Sequence, residues 1–352
     1  MANFDLNKLI RPNVLDMKPY SSARDEFEGA ANVFLDANEN PLGSSVDGNF
    51  NRYPDPRQTP LRKELAKVKG IKPEQIFFGN GSDEAIDLLF RAFCVPNKDR
   101  ALVFPPTYGM YKVQADINET PVDEINLDEN FQVPIDSIEQ IINPMVKLMF
   151  ICSPNNPTAN LIDKSYIIRI CKGFKGLVVV DEAYIDFAPN EASMISEIDN
   201  YPNLIVLQTF SKAWGLAGLR LGMAFAQKDI IDTLCKIKYP YNVNQLTQDA
   251  VLQAVLNPKK KDRMVGTILE QRNFLISELD KIEVVNHIYP SNANFVLVQI
   301  KDATQLYKKL IAKGIVVRNR SNVALCNDCL RITVGTEAEN KTLIAGIKEL
   351  TK

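Results

Sequence analysis

The sequence contains a single histidine, His287, among its 352 residues. One imidazole argues against the Ser-His and Cys-His pairs on which many hydrolases depend. It also leaves few ligands for a zinc site, which needs about four. His287 lies in a turn-like stretch before Pro290, so we interpret it as a structural or exposed residue.

An excess of positive charge and long apolar runs are also missing. The chain has 41 Lys and Arg against 43 Asp and Glu, a formal net charge of −2. Nothing therefore points to binding of nucleic acid or of an anionic membrane. No apolar run approaches the ~20 residues of a transmembrane helix, and the N-terminus lacks the pattern of a signal peptide. We expect a cytoplasmic protein without nucleic-acid or membrane partners.

Cysteine is sparse, with six residues in the chain. Most of them stand in apolar contexts and are typical of small core residues. Cys326 and Cys329 have the C-x-x-C spacing of a metal or redox pair, but the chain offers no second pair to complete a zinc site. We therefore expect no metal.

The apolar residues that are present form short, dense runs. Residues 177–180 and 204–207 lack the alternation of half-buried strands, and such runs alternate with helical stretches. This pattern is typical of an α/β fold, in which helices cover both faces of a mostly parallel sheet. We predict an N-terminal arm over residues 1–30, a large domain over 31–257 with a short first strand at 32–36, and a smaller α/β domain over 258–352.

Polar loops follow the predicted strands of the large domain. In such sheets these loops gather along one edge, where ligands bind. The loop Gly79–Glu84 opens onto a helix N-terminus, which is a ready anion site. A plain strand-to-helix turn, capped by Ser82 or Asp83, explains the same stretch about equally well.

Lys212 follows the strand at 204–207 and stands among phosphate-binding groups. A lysine alone is most often a solvated loop residue. Here Thr209 and Ser211 offer hydroxyls, and Arg220 offers a planar fork suited to phosphate. The set indicates a phosphorylated aldehyde bound covalently to Lys212, and pyridoxal phosphate is the obvious candidate.

Residues at the other strand ends complete this hypothesis. Asp181 follows an apolar strand, and a buried carboxylate needs a partner. A protonated pyridine nitrogen would serve, although a helix cap is an equally good explanation of Asp181 alone. Tyr184 and Asn156 are candidate donors to the phenolate oxygen of the ring, and Tyr108 is a candidate for stacking on its face. Ser82 and Asp83 would join Thr209, Ser211 and Arg220 at the phosphate.

The chain resembles the fold-type I pyridoxal phosphate enzymes, and within them the histidinol-phosphate aminotransferases. The resemblance covers nearly the whole chain in the family's order. The motifs that carry it are ANENPLG at 37–43, RYPDP at 52–56, GNGSDEAI at 79–86, PTYGMY at 106–111, CSPNNPT at 152–158, VVDEAYIDF at 179–187, TFSKAWGLAGLRLG at 209–222, NANF at 292–295 and LRITVGT at 330–336.

This resemblance implies further roles. Lys212 would carry the cofactor, Asp181 would bind its pyridine nitrogen, and Arg331 would bind the acidic group of the substrate. Tyr53 would reach the cofactor phosphate of the other subunit, which implies a homodimer with shared active sites. Further substrate contacts are implied for Tyr20, Asn38 and Arg318.

The family's reaction is the transamination of L-histidinol phosphate with 2-oxoglutarate, which gives imidazole acetol phosphate and glutamate in histidine biosynthesis. Relatives with similar motifs act on aromatic amino acids or decarboxylate threonine phosphate, so both remain alternatives. A binding or regulatory protein of the same fold is disfavoured because Lys212, Asp181 and Arg220 are all present. A nicotinamide dehydrogenase is disfavoured because Gly79-Asn80-Gly81 lacks the third glycine of its phosphate-binding turn.

One residue departs from the family pattern. Ala159 stands where the family usually has glycine. Since alanine avoids positive φ angles, we expect a small backbone adjustment at this turn, with activity retained.

Overall fold

The structure is a computed structural model that describes residues 4–20, 31–136, 138 and 143–351. Residues 1–3 and 21–30 of the predicted N-terminal arm therefore lie outside the described residues. The helices with given bounds are α1 (Pro12–Asp16), α2 (Thr59–Lys69), α3 (Ser82–Phe93), α4 (Met110–Ile117), α5 (Lys164–Gly173), α6 (Lys228–Ile237), α7 (Gln245–Leu256), α8 (Pro258–Leu279), α9 (Ala303–Ala312) and α10 (Glu337–Leu350).

Seven strands form the larger sheet, in the order β1-β7-β6-β5-β4-β2-β3. The five strands β2 to β6 run parallel to one another, whereas β7 is antiparallel to both of its neighbours, β1 and β6. Their bounds are β1 (Ile76–Asn80), β2 (Arg100–Val103), β3 (Val122–Glu124), β4 (Val146–Cys152), β5 (Leu177–Asp181), β6 (Leu204–Thr209) and β7 (Leu221–Phe225). The predicted large, mostly parallel sheet is confirmed.

Both faces of this sheet are buried, which explains why its strands are apolar throughout. Successive side chains of a strand point to opposite faces. Val178 and Val180 accordingly belong to one apolar cluster, together with residues of α2, α5 and α7, whereas Leu177 and Val179 belong to another, with residues of α3, α4 and α6.

The smaller sheet has four antiparallel strands in the order β10-β11-β9-β8. These strands are β8 (Val285–Ile288), β9 (Phe295–Ile300), β10 (Arg318–Asn319) and β11 (Cys329–Thr333). A separate apolar cluster joins them to α8, α9 and α10. The long helix α8 connects the two sheets along the chain, close to the predicted start of the second domain at residue 258; the domain bounds themselves stay a prediction.

The expected first strand at 32–36 does not form. Residues 31–35 are extended or bent without strand pairing, and Val33 and Leu35 are 72% and 87% exposed. The apolar residues at 33–35 therefore did not indicate a strand that is buried within one chain. Among the described residues, no helix is long and apolar enough to cross a membrane.

Candidate active site

A cleft at the ends of β4, β5 and β6 brings most of the predicted site residues together. Its cavity has a volume of about 180 Å³. Ten of the eleven residues predicted to bind or carry the cofactor line it, and the exception is Tyr53, which was assigned to the other subunit. The lining includes Ser82, Asp83, Tyr108, Asn156, Asp181, Tyr184, Thr209, Ser211, Lys212 and Arg220.

One end of the cleft is built to hold an anion. Helix α3 begins at Ser82 after Gly81, and no side chain caps its first N–H groups, so the expected cap by Ser82 or Asp83 is wrong. Uncapped N–H groups at a helix start attract negative charge. Arg220 reaches the same place, because its Nη2 lies 2.8 Å from the point where a Cβ on Gly81 would stand.

The carboxylate of Asp83 lies beside this anion site but is already engaged. It accepts a hydrogen bond from the Tyr108 hydroxyl at 3.1 Å, and its other oxygen lies 3.9 Å from Arg220 Nη2. A carboxylate repels phosphate, so Asp83 would contribute through its backbone N–H and by orienting Arg220 and Tyr108.

Asp181 lines the same cleft and is 2% exposed. Its carboxylate accepts hydrogen bonds from the Tyr111 hydroxyl at 2.7 Å and from the Ala183 N–H at 3.1 Å. Burial raises the pKa of Asp181 to about 6, and these two hydrogen bonds limit the rise. A cation in the cleft would hold this carboxylate in its charged form.

The Lys212 amine lies in the same cleft, 5.5 Å from the centre of the Tyr184 ring. Burial, followed by the charge of Arg331, lowers the pKa of Lys212, while Asp181 acts in the opposite direction. A lowered pKa gives a larger share of the neutral, nucleophilic amine. The cleft therefore fits a phosphorylated aldehyde with a ring cation, because it combines an anion site, an amine and a buried carboxylate.

The smaller sheet contributes Arg331 from β11. Its Nη1 donates a hydrogen bond to Asn156 Oδ1 at 2.5 Å, and its guanidinium lies 5.3 Å from the centre of the Phe295 ring. Arg318 stands directly opposite Arg331 in the antiparallel pairing of β10 and β11, so both side chains share one face of the sheet. Burial, together with nearby arginine charges, lowers the pKa of Arg331. Such a cluster of arginines is expected where an anion binds.

The chain matches the family model described as aminotransferase class I and II over residues 26–347. It is 51% identical to a protein of Cytophaga hutchinsonii named histidinol-phosphate aminotransferase, over 98% of this chain and 99% of that protein. The chain belongs to the class I and II aminotransferases. The predicted family resemblance is confirmed, as is the prediction that the chain is an aminotransferase.

Solved structures agree with this aminotransferase fold. The histidinol-phosphate aminotransferase of Clostridium acetobutylicum has a TM-score of 0.79 at 26% identity, covering 86% of this chain and 91% of that one. A histidinol-phosphate aminotransferase of Sinorhizobium meliloti, solved in complex with pyridoxal-5'-phosphate, has a TM-score of 0.78 at 23% identity and covers 89% of each chain; this second likeness concerns the fold.

Besides Arg318 and Arg331 of the smaller sheet, three predicted residues of the aminotransferase do not line the cleft. Tyr20 is 75% exposed. Asn38 and Tyr53 line a separate open groove, in which the Tyr53 ring stacks on Tyr241 with 4.5 Å between ring centres. Within one protomer, then, the structure does not bring these residues to Lys212.

Tyr111 is a site residue that sequence reasoning missed. It is fully buried and holds Asp181 through its hydroxyl. The motif PTYGMY contains two tyrosines, and the sequence gives no sign that the second points inward from the first turn of α4 while the first, Tyr108, faces the cleft.

The expected backbone adjustment at Ala159 is wrong. Ala159 keeps a left-handed conformation, with φ at +67°. The side chain is fully buried in a cluster with Tyr184 and Phe295, and the backbone is held by two hydrogen bonds of 2.7 Å, to the Asn155 carbonyl and from the Asn292 N–H. These contacts fix the turn although alanine disfavours it.

Proposed function

We propose that this aminotransferase transfers the amino group of L-histidinol phosphate to 2-oxoglutarate, giving imidazole acetol phosphate and glutamate in histidine biosynthesis. The carrying observation is the cleft in which Lys212 and Asp181 face Arg331 of the smaller sheet. The name of the relative at 51% identity over nearly the full chain supports this substrate. Aromatic amino acid transamination and threonine-phosphate decarboxylation, the two alternatives, are not favoured by relatives at that identity.

Pyridoxal phosphate is the cofactor of this reaction, and when bound it supplies an electron sink for the bond that breaks at the substrate Cα. Asp181 is suited to the pyridine nitrogen because a buried carboxylate with a raised pKa gains most from a neighbouring cation. Arg220, the N-terminus of α3 and the hydroxyls of Thr209 and Ser211 would hold the phosphate. Tyr184 and Asn156 would contact the ring hydroxyl, and Tyr108 would cover one face of the ring.

Lys212 has two tasks in this proposal. Its neutral amine would carry the cofactor, and the same amine would move a proton to and from the substrate Cα. The lowered pKa of Lys212 suits both tasks, because each needs an unprotonated amine at neutral pH. The aromatic ring of Tyr184 beneath the amine limits the directions in which it can move.

Arg331 would bind the anionic end of both substrates in turn. A guanidinium fork accepts either a phosphate or a carboxylate through paired hydrogen bonds, which a lysine does not. Asn156 fixes the fork from the larger sheet, and Arg318 adds a second charge on the same face. Tyr20 and Asn38 would complete the substrate contacts.

The homodimer and the cytoplasmic location belong to this proposal as well. Val33, Leu35 and Leu42 are 72%, 87% and 94% exposed, which is a large apolar area to leave in water. This segment leads to Tyr53, which would reach the cofactor phosphate of the second subunit. The reaction belongs to amino-acid biosynthesis, and that supports the cytoplasm.

The test is an absorbance spectrum of the purified protein with pyridoxal phosphate, recorded before and after adding histidinol phosphate and then 2-oxoglutarate. We expect the band of the lysine-bound cofactor to change with the first substrate and to return with the second. A response to phenylalanine or tyrosine alone would exclude the proposed substrate. Lys212→Ala should show neither the band nor turnover.

A further inference from the structure

Lys261 occupies a place that should disfavour a lysine. It is the third of three successive lysines in the first turn of α8, where the helix dipole repels positive charge. Lys259 and Lys260 are exposed, but the Lys261 side chain is only 16% exposed. A half-buried cation at the wrong end of a helix requires strong compensating contacts.

One contact is local, since Lys261 Nζ lies 2.9 Å from Asp262 Oδ1, and the other two come from different loops of the cleft. Lys261 Nζ lies 3.0 Å from Asp186 Oδ1 and 5.4 Å from the centre of the Trp214 ring. Asp186 comes two residues after Tyr184, and Trp214 comes two residues after Lys212. One ammonium group thus joins the loop that presents Tyr184 to the loop that presents Lys212.

Apolar contacts continue this connection along the same helix. Val265 lies one turn after Lys261, and with Ile268 and Leu269 it packs on a cluster that includes Tyr184, Phe187 and Ala213. Helix α8 then runs on to the sheet that carries Arg331. Lys261 therefore supplies the charged contact at the N-terminal end of the surface through which helix α8 packs on both cleft loops.

We propose that Lys261 is a positioning residue that fixes the loop of Lys212 against the loop of Tyr184. It does not line the cleft and touches no reacting atom. The Asp186 carboxylate raises the pKa of Lys261 in spite of its burial, so the ammonium stays charged at neutral pH. This inference rests on the proposed function, since it assigns Lys261 a part in the same cleft.

The test compares Lys261→Met with Lys260→Met. Methionine matches the apolar stem of lysine in length and lacks the charged amine, and Lys260 is the exposed neighbour on the same turn. In Lys261→Met we expect kcat to fall about tenfold with a smaller change in KM, because small misplacements of reacting groups are costly. We also expect the pH midpoint of the bound-cofactor band to move. Lys260→Met should match the wild type, and Lys261→Arg should restore most of the activity, since arginine can bind a carboxylate and stack on Trp214.

A further variant separates positioning from simple stabilisation. Lys261→Met removes the ion-pair partner of the largely buried Asp186 and leaves Lys69 as a neighbouring cation, so the variant should also unfold at a lower temperature. In Lys261→Met/Asp186→Asn the Asp186 charge is gone, and we expect the melting temperature to recover while kcat and the band midpoint do not. Recovery of all three would overturn the proposal, as would a Lys261→Met variant with normal kcat and normal band. If the wild type has the band but no activity on histidinol phosphate, the proposed function fails. The positioning role of Lys261 is then tested only by whether the pH midpoint of the band differs between Lys261→Met and the wild type.

Discussion

Two adjacent carboxylates, Asp181 and Glu182, show how position decides the role of a residue. Asp181 lines the cleft, whereas Glu182 faces away from it and accepts hydrogen bonds from the Ser193 hydroxyl, the Gln208 amide and the Met194 N–H. Burial raises the pKa of Glu182 to about 7. The first carboxylate is placed for a ligand, and the second holds the segment at 193–194 against the sheet.

Glu182 should make the stability of the cofactor-free protein depend on pH. Its pKa rises from 4.5 in the unfolded chain to about 7 in the fold, so the folded state binds the proton more tightly. Stability is therefore greatest at low pH and falls as pH rises from about 4.5 to about 7, by about 3 kcal/mol at most. Asp181 contributes in the same direction over a narrower range.

Glu182→Gln should flatten this dependence, because glutamine carries no charge. The Gln208 Oε1 atom is buried and has no hydrogen-bond partner among the described residues, so it can accept from the new amide. Thermal unfolding between pH 5 and pH 8 measures the effect, and we expect the variant to gain stability over the wild type at pH 8. A variant with the wild-type slope would show that Glu182 does not titrate in this range.

Ala159 allows a second prediction at this scale. Alanine in a left-handed conformation costs about 1 kcal/mol, which glycine would recover. Glycine would also lose a buried methyl group worth about 0.8 kcal/mol. Ala159→Gly should therefore change the melting temperature by less than about 3 °C, whereas Ala159→Val should lower it strongly because β-branched residues avoid positive φ. A large loss with glycine would mean that packing of the methyl group dominates.

At the scale of elements, the anion site depends on how closely β7 approaches the start of α3. A Cβ on Gly222 would lie 2.1 Å from the Ser82 nitrogen and 2.3 Å from the Gly81 carbonyl carbon. Both are backbone atoms, so neither can move without displacing the helix start. Glycine at 222 is thus required for the contact that places the α3 N-terminus beside Arg220.

Gly222→Ala should therefore weaken cofactor binding at least tenfold and lower the melting temperature. Gly218→Ala, in the loop before β7, is the matched control, because a Cβ there would meet no atom within 4 Å. Titration of each variant with pyridoxal phosphate, followed by the absorbance of the bound cofactor, measures the difference. Equal affinities in the two variants would contradict this account of the anion site.

Elements buried on both faces were predictable from the sequence, and others were not. The apolar runs of β5 and β6 follow directly from residue patterns. The segment at 32–36 is also apolar but unpaired, because a short apolar run has the same pattern whether its side chains are buried in a sheet or exposed. The hydroxyl of Tyr111 and the contacts of Lys261 depend on tertiary geometry that motif reading does not contain.

At the scale of the whole molecule, the cleft brings together residues that are far apart in the sequence. Arg331 and Asn156 come from different sheets and meet in one hydrogen bond, so the relative position of the sheets sets the distance between the proposed anion fork and Lys212. The family motifs made this meeting predictable, although strand periodicity alone would not have. The place of Tyr53, in contrast, fits its proposed role only if two chains assemble.

Mixed dimers test that assembly directly. If Tyr53 acts on the cofactor phosphate of the partner subunit, a chain with Lys212→Ala still supplies Tyr53, and a chain with Tyr53→Ala still supplies Lys212. After both variants are unfolded and refolded together in equal amounts, half of the dimers would be hybrids, each with one intact site. We expect activity to rise toward about one quarter of the wild-type value, since random pairing leaves about a quarter of all sites complete.

The control replaces another exposed tyrosine, with Tyr239→Ala used in place of Tyr53→Ala. This variant should be active before mixing. If mixing adds nothing to the separate activities while sedimentation shows dimers, Tyr53 serves its own subunit; if sedimentation shows monomers, the exposed apolar segment at 33–42 has another purpose.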